Sequence, residues 1–145
     1  MMSFRRAFLV LTITILAGWP LPGSAKGLPQ ADETAIQSII ERQLAAFRAD
    51  DAAAAYGFAS DTIQMKFGSA DQFLYMVKTM YYPVYRPAAY EFMTLAAEPG
   101  GIFQPVLIAK NNGDTVVALY LMEKDETGQW RIAGVKLVNP PGTGT

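Results

Sequence analysis

Apolar residues in the first half of the chain recur at helical spacing. Ile36, Ile39, Ile40, Leu44 and Phe47 share one face and predict a long amphipathic helix over residues 32–50, with Asp32 as N-cap and Glu33 in the first turn. Asp50-Asp51 breaks that pattern and is placed to cap a second, alanine-rich helix over residues 52–58, which Gly57 weakens. Ser60 and Asp61 are cap candidates for a single turn carrying Ile63 and Met65, closed by Phe67-Gly68. Ser69, with Gln72 three residues on, has the form of a capping box before a helix whose apolar face is Phe73, Met76, Val77 and Met80. Pro83 and Pro87 then bracket a connection expected to be extended.

Beyond Pro87 the pattern becomes that of strands. Residues 90–96, 102–110, 115–124 and 129–138 form four runs. Their separators are Pro99-Gly100-Gly101, Asn111-Asn112-Gly113-Asp114 and Asp125-Glu126-Thr127-Gly128. Such short glycine-containing loops imply an antiparallel meander. Pro105 predicts that the second strand is an edge or carries a bulge, and Gly134 marks a bend in the last. Helices followed by strands define an α+β domain over residues 26–138: about three N-terminal helices on a four-stranded twisted antiparallel sheet, leaving a cone-shaped pocket between the layers. Residues 139–145 read as a flexible tail. The third strand is apolar on both alternation sets, with Val117, Leu119 and Leu121 against Val116, Ala118, Tyr120 and Met122. A strand apolar on both sides needs both covered, so a homodimer through the sheet is expected.

The N-terminal segment follows a different logic. Arg5 and Arg6 precede an apolar run over residues 7–19, too short for a bilayer span, and Pro20 and Pro22 end it before Gly23-Ser24-Ala25. This is the three-part pattern of a secretory signal peptide over residues 1–25. Export to the periplasm or beyond is therefore expected, with no membrane attachment after cleavage. Removing the two arginines takes the formal charge from -1 to -3.

Composition narrows the chemistry. The chain has 145 residues, room for one full-sized domain, and its near-neutral charge offers no basic face for nucleic acid. It contains no Cys and no His. Disulfides, thiol nucleophiles, thiolate zinc sites and imidazole bases are thereby excluded. No metal site, cofactor or catalytic residue is expected.

The densest unusual segment is Met80-Tyr81-Tyr82-Pro83-Val84-Tyr85-Arg86-Pro87, which joins three phenols, two prolines and a guanidinium. Tyr81, Tyr85 and Arg86, with Asp50 and Asp51 at the helix junction, are the candidate ligand-binding residues for a small apolar or anionic ligand. The competing reading makes the segment a helix-to-sheet corner, with Arg86 bonding carbonyls or the Asp50-Asp51 pair and the aspartates capping helices. Glu91 and Glu123 are the carboxylates of the strands; their places beside turns or in alternation with apolar positions put them on a solvated face.

The element order, residues 43–52, 56–60 and 81–87, Met76-Val77, and the terminal strand with Trp130 resemble a group of small exported bacterial proteins, domain-of-unknown-function family 4864. More broadly they resemble the cystatin-like α+β roll of nuclear-transport-factor-two-like proteins. The narrower resemblance implies no activity. The broader one implies isomerases, dehydratases, cyclases or non-catalytic binding domains. A His-dependent dehydratase is excluded by composition. The expectation is a non-catalytic module binding a small ligand or a protein, with an isomerase- or cyclase-like enzyme using Tyr and carboxylate, or a structural homodimeric subunit, as alternatives. An enclosed cavity with a buried acid would favour the enzyme, an open apolar cavity the binder, and a filled cone the subunit.

Overall fold

The computed structural model describes residues 27–142, so the expected signal segment and the end of the expected tail lie outside the described residues. Among the described residues five helices precede five strands: α1 (Gln30–Arg48), α2 (Ala52–Gly57), α3 (Asp61–Phe67), α4 (Ala70–Met80), α5 (Tyr82–Tyr85), then β1 (Ala89–Phe92), β2 (Ala96–Glu98), β3 (Gly101–Ala109), β4 (Thr115–Lys124) and β5 (Trp130–Val138). The protein is α+β, with its helices N-terminal to an antiparallel sheet, consistent with a cystatin-like roll. No helix among the described residues is long and apolar enough to cross a membrane.

The stripe read from the sequence is the buried face of α1: Ile36, Ile39, Ile40, Leu44 and Phe47 all lie in the core. Burying each such side chain contributes roughly 1.5–3 kcal/mol. The helix begins earlier than expected, after Pro29, which offers no side-chain cap. Asp32 is thus not an N-cap. Its carboxylate accepts from Trp130 Nε1 at 3.0 Å and pairs with Lys124 at 3.4 Å, pinning the start of α1 to the last hairpin. The other caps form as expected: Asp51 accepts from Ala54 N, Ser60 from Ile63 N and Ser69 from Gln72 N. Between α4 and β1 the expected extended connection is instead the one-turn α5, with Pro83 in its first turn. A proline there forfeits only an N–H that has no intrahelical partner.

The sheet runs β1-β3-β4-β5, with β2 also pairing β3. The first expected strand is therefore two pieces on one edge of β3, β1 against Val106 to Ala109 and β2 against Gly101 to Phe103. Pro105 explains the break, though not by lying at an edge: β3 has neighbours on both sides. Pro105 O accepts from Met93 N at 3.0 Å. A strand residue directs its N and C=O to the same side, so the donor that Pro105 lacks falls on the interrupted side. Buried Gln104 covers the gap, donating from Nε2 to Met93 O at 2.8 Å and Pro105 O at 2.9 Å, while Leu95 turns into the core. In β5 the register shifts opposite Leu121 and Met122, whose partners are Gly134 and Ile132. Ala133 is the extra residue, a bulge beside the glycine where a bend was expected.

The two sheet faces differ. Val106, Ile108, Ala118, Tyr120, Met122 and Ile132 pack with the helices in one core. Tyr120 is fully buried and its hydroxyl has no partner among the described residues; burial pushes its pKa up, with Tyr90 adding to the effect. Register places Phe103, Leu107, Val117, Leu119 and Leu121 on the opposite face, outside that core. All of these except Val117 are half-exposed.

Candidate functional site

A half-open cavity of about 520 Å³ lies between the helices and β5. Its origin is local. Phe58 to Ser60 runs parallel to β5, with Ser60 N donating to Ile132 O and Ile132 N to Phe58 O, both at 2.9 Å. That ladder ties the start of α3 to the sheet. From there α3 lies at the margin of the core, with Ile63 and Phe67 packed against it but none of its residues fully buried, and Gly68 in the left-handed region (φ +77°) turns the chain back into α4. The space left is walled by α3 (Ile63, Lys66, Phe67), by α4 (Phe73, Met76, Val77, Met80) and by the bulged stretch of β5 from Ile132 to Val135. Gln43 and Phe47 of α1 complete it, with Tyr81 and Val84 at the corner.

The walls are chemically simple. Phe73 organises an aromatic group, its ring centroid 6.2 Å from Phe47, 5.7 Å from Tyr56 and 5.7 Å from Phe67. Among the described residues Lys66 is the one charged lining residue, and no carboxylate lines the space. Lys66 makes no ion pair among the described residues; its ammonium lies 5.7 Å from the Phe67 ring centroid. Met80, 70% exposed, marks the mouth. The buried polar lining side chain is Gln43, 2% exposed, whose Nε2 donates to Ala55 O at 3.1 Å. That bond fixes the amide orientation. Gln43 Oε1 has no partner among the described residues.

The sequence-derived candidates separate into three places. Tyr81 lines the cavity. Asp51 caps α2. Tyr85, Arg86 and Asp50 form a cluster outside the lining, at the end of α1. Asp50 occupies the left-handed region at φ +52°, a conformation that Asp tolerates better than most residues. Its carboxylate accepts from the Tyr85 hydroxyl and from Arg86 Nη2 at 3.0 Å, with Lys78 at 3.9 Å. The Tyr85 hydrogen bond is the main reason that the Asp50 carboxyl lies below its usual range, with Arg86 and Lys78 acting in the same sense; the same bond pushes the Tyr85 phenol up. Arg86 Nη1 donates to Phe47 O and Tyr85 O, and the guanidinium lies 3.9 Å from the Tyr85 ring centroid. Phe47 O belongs to the last turn of α1 and also accepts from Asp50 N at 3.0 Å, so Arg86 is its second donor.

Ile63, Lys66 and Phe67 are cavity residues that the sequence did not single out. Their spacing is an apolar i, i+4 pair with a cation between, which also describes an ordinary surface helix. Glu91 is paired in register with Leu107 and lies on the opposite face of the sheet, away from the cavity.

The fold and site define an α+β domain with an apolar, half-open cavity and a separate charged cluster at its corner. The chain belongs to the family described as Domain of unknown function (DUF4864), whose model matches residues 29–145. No match is found among curated proteins or among solved structures.

Proposed function

We propose that this protein is an exported, non-catalytic binding domain that takes a small apolar ligand into the cavity between α3, α4 and β5. The observation that carries the reading is the cavity itself: half-open, about 520 Å³, apolar-walled and free of carboxylates. That volume lies in the range of small-molecule sites. Isomerase- or cyclase-like chemistry needs an acid within reach of a substrate proton, and the lining supplies none. The test uses the neutral fluorophore N-phenyl-1-naphthylamine. Saturable one-to-one binding to the wild type is expected, and Ile63→Trp, which fills the cavity from a half-buried position, should weaken it at least about tenfold while leaving the melting temperature unchanged or higher. Equal binding by a folded Ile63→Trp would sink the reading.

A second feature supports self-association through the outer sheet face. Glu91 on β1 and Lys136 on β5 lie on that face, at opposite sides of the apolar stripe formed by Leu107, Val117, Leu119 and Leu121. A two-fold axis along the strands would set the acidic side of one copy over the basic side of the other, the self-complementarity that an isologous dimer requires. Light scattering of the mature protein should give a dimer mass that shifts to monomer in Leu119→Lys. A monomer mass for the wild type at high micromolar concentration would reject the dimer.

A further inference from the structure

The cavity's buried and exposed polar lining residues, Gln43 and Lys66, are electrostatically unlike. At its inner wall Gln43 presents an acceptor: with Nε2 committed to Ala55 O, the amide cannot turn without losing that bond. Among the described residues only Glu33 Oε2 and Tyr120 OH are both sealed from solvent and unpartnered, so the unbonded Gln43 Oε1 retains accessible surface, and the space beside Gln43 is the cavity. An anion placed there would meet a lone pair in a low-dielectric setting, which is repulsive. Lys66, by contrast, is an exposed cation with no ion pair among the described residues, next to Phe67 on α3. The rest of the lining is mainly aromatic and aliphatic, Phe47, Phe73, Met76 and Val77 among it.

We propose that the occupant is a single-chain anionic amphiphile, bound with its tail among these side chains and its head at Lys66. The proposal rests on the cavity reading and adds polarity and orientation to it. An uncharged chain gains only the apolar burial. A chain with a cationic head meets Lys66 as a like charge. The volume of about 520 Å³ is that of a site for one small molecule. Each methylene buried should tighten binding about fourfold until the cavity is full.

The test compares decanoate, decyl phosphate, decanol and decyltrimethylammonium as competitors of the neutral fluorophore, on wild type, Lys66→Gln and Lys66→Glu. In the wild type at low salt, at least one anion should bind better relative to decanol than it does in Lys66→Gln, by about fivefold, the upper end for an exposed ion pair. That preference should shrink in high salt and reverse in Lys66→Glu. Preference for decanoate or for decyl phosphate distinguishes a carboxylate from a phosphate head, and either supports the proposal. Lys66→Gln should melt as the wild type does, because Lys66 supports no ion pair in the fold. A ratio of anion to decanol binding that Lys66→Gln leaves unchanged, or decyltrimethylammonium binding as tightly as both anions, overturns the proposal while leaving the cavity reading intact. Failure of the neutral fluorophore to bind removes both.

Discussion

Arg86→Ala is expected to destabilise the protein by about 2–3 kcal/mol, the cost of removing charged hydrogen bonds from partners that stay in place. The guanidinium holds three groups at once: Phe47 O at the end of α1, Tyr85 O, and Asp50 Oδ2. Without it the α1 carbonyl loses a donor, and Asp50 keeps a left-handed backbone with fewer charges to hold it there. Arg86→Lys should recover only part of the loss, since an ammonium cannot reach both carbonyls and carboxylate with a planar fork. The Asp50 carboxyl is lowered in the folded state, chiefly by Tyr85 and further by Arg86 and Lys78. A lowered carboxyl contributes stability that is present above its unfolded pKa, near 3.8, and is lost as pH falls through the folded value. The gap between wild type and Arg86→Ala should therefore narrow below about pH 4, measured by urea melts at pH 7 and pH 3. Because the cluster lies outside the cavity lining, the folded variant should bind the neutral fluorophore as the wild type does. Unchanged stability with lost binding would instead make Arg86 a ligand contact.

Gln104→Leu should cost a comparable amount, about 2–3 kcal/mol, from a side chain that carries no charge. Leucine keeps much of the volume but leaves Met93 O without its donor at the interruption of the edge strand, and Gln37 Nε2 without its acceptor at 3.3 Å. Pro105 cannot compensate, having no N–H. Hydrogen exchange adds a local signature: amides of β1 and β2 should lose protection before those of β4 and β5. A variant as stable as the wild type, with protection intact along that edge, would show that the interruption is held by backbone pairing alone.

Gln43, Lys66 and apolar side chains of α1, α3, α4 and β5 line the cavity together. The lock at Asp50, Tyr85 and Arg86 lies beside Val84 and Tyr81 of the cavity wall, so it sets where that wall stands without touching the space inside.

Much of the fold is legible in the sequence because its signals are local. The stripe on α1, the caps at Asp51, Ser60 and Ser69, and the glycine-containing turns between long strands each depend on residues within a turn or two. The expectation that Arg86 bonds Asp50 or nearby carbonyls also came from chemistry readable in the chain. What the sequence left open was decided by contacts between residues far apart. Asp32 looked like a cap because Asp usually caps, but Trp130, 98 residues away, engages its carboxylate. Pro105 pointed to an edge or a bulge in its own strand, yet the irregularity fell on the neighbouring one, since a missing donor matters only to the strand facing it. The cavity has no local signature: Ile63, Lys66 and Phe67 line it because the Ser60–Ile132 ladder anchors one end of α3 while the rest of that helix stands off the sheet. Local propensity determines which segments are helix or strand; where two elements fail to meet, and so where a ligand can enter, is a property of their packing.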